Sequence, residues 1–306
     1  MNPGQISVSI IIVSYNTCEL LRDCLRSVYE KTRDLSFEVI VSDNGSQDGS
    51  VEMLKAEFPQ VVLVENRENL GFGTANNRGL DVAKGKYVLY LNSDTLLLNN
   101  AVKEFVDYWE SRPAENLGAL GCNLVDANRE RTESCGNFPE SLSQIQKALH
   151  HFLAFYCKNV LKCLGRDISG IRKKPVYEKK AGAVDYVVGA DLFVKNDEAA
   201  RYDEKFFLYF EETDLQWRMQ KKGLERRIID GPQIQHLIRG GRGKADDVIR
   251  YGSFSMVQSE ISRVRYAKKN LSFPVAWILK FLISLQWLSP YIFQGTKKYF
   301  RTLWRV

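Results

Sequence analysis

The chain lacks the cysteine and histidine patterns of a metal-bound or disulfide scaffold. Its six cysteines, Cys18, Cys24, Cys122, Cys135, Cys157 and Cys163, contain no CxxC pair and have no histidine partners at zinc spacing. Nothing at the amino terminus resembles a signal peptide, so reduced thiols in a cytoplasmic protein are expected. No uninterrupted apolar run of about 20 residues occurs, which excludes an evident spanning helix. The dinucleotide fingerprint GxGxxG also fails. Gly71 and Gly73 are present, but the third glycine position is Asn76, and the stretch follows a third strand, not a first. No Gly- and Lys-rich phosphate loop follows the first strand, where Ser14 to Leu20 stands, and this weakens a nucleotidyltransferase reading. No basic–aromatic groove motif points to nucleic acid. Acidic residues are absent after Glu260, so the net charge of +6 is concentrated in the tail.

What is present is a globular composition, 44% apolar and 26% charged over 306 residues, enough for one large α/β domain with an appendage or for two modest domains. Val8 to Val13 is a β-branched run followed by Leu20, Leu21, Cys24, Leu25 and Val28 at helical spacing. Phe37 to Val41 repeats the strand signal. A helix carrying Val51, Leu54 and Phe58 comes next, with Ser46, Asp48 or Ser50 available as its cap. Val61 to Val64 is a third strand and Val88 to Leu91 a fourth. Between them Asn69 to Gly79 opens a short helix. Strands alternating with helices at this spacing predict a doubly wound, mostly parallel, Rossmann-like sheet. In such sheets ligands bind beyond the carboxyl ends of the strands. Three successive strands end in polar clusters, at Ser14-Tyr15-Asn16, Asp43-Asn44 and Asn92-Ser93-Asp94. Turn chemistry explains any one of them, and Asp94 taken alone could cap a following helix. Acids at two neighbouring strand ends repel unless a cation or a donor-rich ligand joins them.

Farther on, Leu117 to Val125 is strand-like, a helix is expected from about Leu142 to Leu164, and Arg172-Lys173-Lys174-Pro175 forms a basic loop. Val184 to Val188 reads as a strand ending in Gly189-Ala190-Asp191 and continuing through Leu192-Phe193-Val194. The aromatic run Phe206 to Phe210 is expected to be buried, breaking into a helix at Glu211, Glu212 and Asp214. Three carboxylates in four residues exceed what a helix start requires, and at least one is expected to point into the crevice. Glu225 to Ile229 is another strand candidate. Pro232 to Ile238 carries His236, a residue type more often structural than ligating, just before the glycine-rich basic loop Arg239 to Gly243.

Over roughly residues 6 to 245 these fragments, in this order and spacing, resemble the family 2 glycosyltransferases of the GT-A fold, and among them rhamnosyltransferase-like members. The resemblance rests on VSYN at Val13 to Asn16, DNGSQDGS at Asp43 to Ser50, NLGFGTANNRG at Asn69 to Gly79, and NSD at Asn92 to Asp94. Gly189-Ala190, FFLYFEETDLQWR from Phe206 to Arg218, and His236 complete it. It implies an inverting transfer of a sugar, rhamnose being the suggested one, from a nucleotide-diphosphate donor to a glycan or lipid-linked glycan acceptor in cell-surface polysaccharide synthesis. Asp43, Ser14 and Tyr15 would hold the nucleoside, with Asn16, Asn69, Gly73, Asn76, Asn92 and Asp94 completing the donor subsite. Asp94 and His236 would hold a divalent cation, Mg²⁺ or Mn²⁺. Gly189, Ala190 and Asp191 would lie on the acceptor side. Where the family usually writes Glu-Asp this chain has Glu211-Glu212. The second carboxylate is normally the base, so Glu212 is the candidate; the extra methylene leaves the choice between Glu211 and Glu212 open, with Asp214 supporting either.

The resemblance divides the chain into a domain at 1–245, with a nucleotide-sugar half (1–125) and an acceptor half (126–245), and a basic, apolar helical extension at 246–306. In that extension Pro274 to Phe293 suits a helix lying at a membrane surface, a peripheral contact through residues 261–306 at the inner face of the cell membrane. Its competitor is a helix buried against the catalytic domain or a homodimer partner. The remaining alternatives are a nucleotidyltransferase acting on sugar phosphates and a catalytically inactive nucleotide-sugar-binding module.

Overall fold

The computed structural model describes residues 6–163, 177–237 and 253–306, with the backbone alone at 158–163. The basic loops expected at Arg172 to Pro175 and Arg239 to Gly243 lie outside the described residues. In chain order the elements are β1 (Val8–Ser14), α1 (Cys18–Lys31), β2 (Phe37–Asp43), α2 (Ser50–Glu57), β3 (Val62–Glu65), α3 (Phe72–Leu80), β4 (Tyr87–Asn92), β5 (Thr95–Leu97), α4 (Ala101–Glu110), β6 (Leu117–Cys122) and β7 (Cys135–Gly136). They continue as α5 (Ser141–Cys163), β8 (Gly182–Val184), β9 (Tyr186–Val187), β10 (Asp191–Lys195), α6 (Glu211–Lys221), β11 (Glu225–Ile229), β12 (Ile234–His236), α7 (Phe254–Tyr266), α8 (Phe273–Trp287), α9 (Phe293–Thr296) and α10 (Phe300–Arg305).

Two compact units result. The first holds the described residues up to 138 together with 177–207 and 211–237, and the second holds 139–163, 208–210 and 253–306. Helix α5 packs with the C-terminal helices, its buried Ala148 and Phe155 sharing a core with Val257, Ile261, Leu279 and Trp287. A helix goes where its apolar stripe is covered, whatever its place in the sequence.

The first unit is built on an eight-stranded sheet in the order β3-β2-β1-β4-β10-β6-β11-β8. Strands β3, β2, β1 and β4 run parallel, β10 runs antiparallel between β4 and β6, and β11 returns parallel to β6. The side-chain period of two sends successive residues of a strand to opposite faces. Ile10 and Ile12 therefore join Leu21, Leu25, Leu54 and Phe105 of α1, α2 and α4 on one face. Ile11, Ile40, Val88 and Tyr90 join Leu80, Leu215 and Met219 of α3 and α6 on the other. A strand covered on both sides has no polar alternation, which is why β1 reads as a continuous apolar run. Phe193 of β10 is fully buried, its ring stacked 5.3 Å from Phe105 and 5.2 Å from Tyr87.

The run expected as one strand from Val184 to Val194 is three, β8, β9 and β10, broken at Asp185 and at Val188 to Ala190. Helix α2 is not capped as expected. Its N-cap is Gly49 at φ 86°, while Asp48 accepts from the Ser50 amide and hydroxyl with one oxygen and from the Cys18 amide with the other, tying α2 to the start of α1. Cys18, Cys24, Cys122, Cys135 and Cys157 are free thiols. Burial pushes Cys24 up to about 12, so it behaves as core.

In the second unit, Ser253 caps α7 through its hydroxyl, which accepts from the Met256 amide. Residues Ala267–Leu271 connect α7 to α8 in a π-helical turn. Glu260 is buried there, accepting from the Trp287 indole at 2.6 Å, and burial pushes its carboxyl up to about 7.

Candidate functional site

The parallel register lines up the carboxyl ends of three adjacent strands: Ser14 of β1 is level with Asp43 of β2, and Val13 with Asn92 of β4. Because β10 runs the other way, its first residues arrive at the same edge, where the Asn92 amide donates to the Ala190 carbonyl at 3.0 Å. The strand ends thus bring together residues 14, 43, 92 and 190.

Asp43 is buried. Its Oδ1 accepts from the Gly45 and Ser46 amides at 3.0 and 2.9 Å, and its Oδ2 finds no hydrogen-bond partner among the described residues. One oxygen shapes the turn, leaving the other as an acceptor that calls for a donor from outside. Beside it Tyr15 is 43% exposed, an aromatic face open to a ligand. Ser14 and Asn16 tie the neighbouring turns together. Ser14 is buried in a hydroxyl chain through Thr17 to Ser93. Asn16, left-handed at φ 54°, accepts from the Gln47 amide with its side-chain oxygen and donates its backbone N–H to the Ser46 hydroxyl.

The loop after β3 is held by an amide network that the sequence reading missed. Asn66 donates to Ser42 and Asn44, and Asn44 donates to Asn69 and to the Gly71 carbonyl. Asn69 in turn accepts from the Gly71 amide. The signal available in the sequence was position, since Asn66 follows β3 as Asn44 follows β2. Gly71 sits at φ 87°, and a Cβ there would lie 2.3 Å from the Phe207 carbonyl oxygen, the acceptor of the Phe72 amide. Asn76 spends its amide on the Phe72 carbonyl. Gly73 lets Tyr202 and Glu211 close in: a Cβ there would be 3.1 Å from Tyr202 Cβ and 3.6 Å from Glu211 Cβ.

Helix α6 supplies the acids. Two consecutive non-glycine residues in the left-handed region, Tyr209 and Phe210, both at φ 67°, immediately precede Glu211. Such strain concentrates at functional sites. The aromatic run before α6 is not uniformly buried as expected: Phe206 is enclosed, whereas Tyr209 is 41% exposed. Glu211 is buried with Oε2 unpartnered among the described residues, and burial together with the charge of Glu212 holds its carboxyl well above the usual range. Glu212 is half-buried, also raised by burial, and its Cβ and Cγ lie 3.6 and 3.7 Å from where a Gly189 Cβ would sit. Phe72 closes on the same point at 3.7 Å, and Tyr186, whose phenol is raised by burial and by the charge of Glu212, lies nearby. Glu212 therefore faces the Gly189-Ala190 turn, and that turn is bonded to Asn92. Two carboxyls in one poorly solvated spot do not both ionise freely, and burial together with the charge of Glu212 disfavours ionisation of Glu211.

Two further acids among the expected site residues are fully enclosed. Asp214 is fully buried and accepts from Arg218 at 3.2 Å, while Arg218 also donates to the Arg201 carbonyl, anchoring α6. Asp191 is fully buried within the sheet, accepts from the Cys122 amide at 2.7 Å, and is pushed up to about 6 by burial. The other Asp191 oxygen, Oδ1, is buried without a hydrogen-bond partner among the described residues.

Asp94 does not cap a helix, because β5 follows it. The antiparallel pairing of β5 with β12 sets His236 opposite Thr95. His236 Nε2 consequently lies 3.3 Å from Asp94 Oδ1, and the Leu237 amide donates to the Asp94 carbonyl. Asn92 Oδ1 is buried without a partner among the described residues, and its Nδ2 is 3.5 Å from the same histidine nitrogen. Among the described residues no group of three or more His, Cys, Asp or Glu side chains could enclose a metal. A carboxylate and an imidazole at one point fit a cation that takes its remaining ligands from phosphates and water, as Mg²⁺ commonly does, and do not fit an all-protein cage.

Residues 9–176, more than half of the chain, match the model of glycosyl transferase family 2. Over 295 residues the chain is 28% identical to the uncharacterized glycosyltransferase YfnE of Bacillus subtilis, spanning 88% of this chain and 74% of that one. It is 25% identical over 242 residues to the N-acetylglucosaminyl-diphospho-decaprenol L-rhamnosyltransferase of Mycobacterium tuberculosis, spanning 74% of this chain and 75% of that protein. Among solved structures it resembles S. aureus TarS, with a TM-score of 0.54 at 12% identity, covering 92% of this chain and 44% of that one. A structure of TarS 1-349 in complex with UDP-GlcNAc gives a TM-score of 0.51 at 14% identity, covering 92% and 73%. At such identities these structures speak for the fold, which is GT-A. The polar strand ends, the sheet order and the family match agree, and the chain belongs to glycosyl transferase family 2.

Proposed function

We propose that the protein transfers a sugar, with inversion, from a nucleotide-diphosphate donor to a hydroxyl of a glycan or lipid-linked glycan in cell-surface polysaccharide synthesis, working peripherally at the inner face of the cell membrane. The reading rests on the convergence of Asp43, the Asn92-Ser93-Asp94 turn, and Glu212 over Gly189 at one edge of the sheet. Asp43 Oδ2 accepts an N–H of the nucleobase, whose plane lies against Tyr15. Asp94 and His236 would hold a divalent cation, which supplies positive charge against the diphosphate as it leaves. Glu212 takes the proton of the acceptor hydroxyl, an effect worth roughly 10²–10⁴-fold in rate. Glu211, buried and protonated beside it, keeps the second negative charge out of the pocket and so holds Glu212 ionisable near neutral pH. A base on one side of the anomeric carbon and a charged clamp on the other give a single displacement, hence inversion.

L-Rhamnose, the sugar named for the M. tuberculosis relative, is the first to test, offered on a thymidine diphosphate as the family resemblance suggests, and UDP-GlcNAc, named for the TarS complex, is the second. A panel of nucleotide sugars, assayed for nucleoside diphosphate release with and without EDTA, tests the reading. Activity with one donor, lost with EDTA and in Asp94→Ala, is the expected result. Full activity in Asp94→Ala would remove the cation from this site, and thermal stabilisation by nucleotide sugars without turnover would identify a binding module.

A further inference from the structure

The second unit carries a helix whose outward side is apolar throughout. On α8, Phe273 is 62% exposed, Phe281 58%, Trp277 45% and Ile278 42%, at the i, i+4, i+5 and i+8 positions of one face. The inward side packs Val275, Ala276, Leu279, Ile283 and Trp287 into the core, with Lys280, Ser284 and Gln286 buried among them. From Phe273 to Thr296 the single charged residue is Lys280. A surface helix in water turns a polar side outward, whereas α8 is apolar on both its inward and its outward side.

The patch continues onto α10. The Trp304 ring lies 5.6 Å from Trp277, which lies 5.9 Å from Phe273, and Lys280 Nζ sits 5.4 Å from both tryptophan rings. Exposed Arg301 and Arg305 flank Trp304 at helical spacing, and Lys297 and Lys298 are exposed just before them. No acid occurs after Glu260, and Glu260 itself is buried against Trp287.

We propose that the face formed by α8 and α10 seats on an anionic phospholipid bilayer, with Phe273, Trp277, Ile278 and Phe281 in the headgroup–acyl boundary and Arg301 and Arg305 against lipid phosphates. Tryptophan and arginine are the side chains that favour this boundary. A helix of 15 residues is about 22 Å long. The hydrocarbon core is about 30 Å thick, so α8 lies in the plane of the surface and does not cross it. Charge excludes the competing occupant. A second copy packed on the same face by a two-fold axis would set one acid-free basic tail against another, whereas anionic headgroups neutralise it. The inference rests on the peripheral membrane placement proposed above and names the residues that make it; its failure leaves the transfer chemistry standing, since lipid binding is measured without donor or acceptor.

Cosedimentation of the full chain with vesicles tests it, comparing phosphatidylcholine alone with an equal mixture of phosphatidylcholine and phosphatidylglycerol. The expected result is binding to the mixed vesicles that weakens as salt is raised. Arg301→Gln and Arg305→Gln should each lower that affinity about fivefold. Ile278→Ser with Phe281→Ser should lower it at least about tenfold while the melting midpoint and the nucleoside diphosphate release rate stay unchanged. Should the serine pair not fold, the arginine pair and the salt series decide. Absence of binding at low salt, or binding indifferent to both pairs, would overturn the proposal. So would a wild-type dimer that the serine pair converts to monomer, because the face would then be a self-interface.

Discussion

The two neighbouring glutamates at the start of α6 make opposite predictions on substitution. Glu212 is half-buried over Gly189, while Glu211 is buried beside Gly73 and Tyr202 with one oxygen lacking a partner. Replacing Glu212 by Gln keeps the shape and removes the proton acceptor, so the transfer rate should fall by roughly 10²–10⁴-fold, about 3–5 kcal/mol of transition-state stabilisation. Replacing Glu211 by Gln substitutes one neutral group for another at neutral pH, and the rate there should change by no more than a few-fold. The pH dependence separates the two further. Both carboxyls are raised, so wild-type activity should rise with pH along a limb above the ordinary carboxylate value of about 4.3. Glu211→Gln puts a neutral amide where a neutral carboxyl stands and should leave that limb in place, whereas Glu212→Gln should abolish it. The stability sign follows from the same shifts. A carboxyl raised on folding costs stability as pH climbs above its unfolded value, so Glu211→Gln should melt higher than wild type at alkaline pH and similarly in acid. Nucleoside diphosphate release against pH and thermal melts across the same range are the assays. A Glu212→Gln enzyme retaining more than a tenth of wild-type activity while Glu211→Gln is inactive would exchange the roles and refute the reasoning from burial.

Other outcomes follow from single contacts. Gly71→Ala places a methyl against the Phe207 carbonyl at φ 87° and should cost roughly 2–4 kcal/mol, from left-handed strain and loss of the Phe72 hydrogen bond, read as the shift in denaturant midpoint. Asp191 is raised from 3.8 to about 6, so wild-type stability should decline by roughly 3 kcal/mol as pH rises through that window; Asp191→Asn, keeping an acceptor for the Cys122 amide, should escape the decline and melt higher at pH above 6. Phe193→Ala removes a fully buried ring stacked on Phe105 and Tyr87 and should cost about 3–5 kcal/mol in urea unfolding.

The chain of local signals was enough to determine the fold class and the edge of the sheet that matters. β-branched runs capped by Asn, Asp and Ser announce parallel strands with polar carboxyl ends, and a period of two or 3.6 survives in the sequence because each element must bury one side of itself. The polar strand ends at Asp43 and Asp94 and the acids opening α6 were legible for that reason. Tertiary structure decided which of these side chains are buried and what they touch. Asp191 and Asp214 are both fully buried, one at the start of an antiparallel strand and the other against Arg218. The Asn44–Asn66–Asn69 network joins the loops after β2 and β3, more than twenty residues apart in sequence. The meeting of His236 with Asp94 depends on β12 pairing with β5 across more than a hundred residues, and the assignment of α5 to the C-terminal helices depends on which apolar stripe covers which. Propensity acts over a few residues, whereas the orientation of a side chain at a strand end is set by neighbours that only the folded sheet supplies.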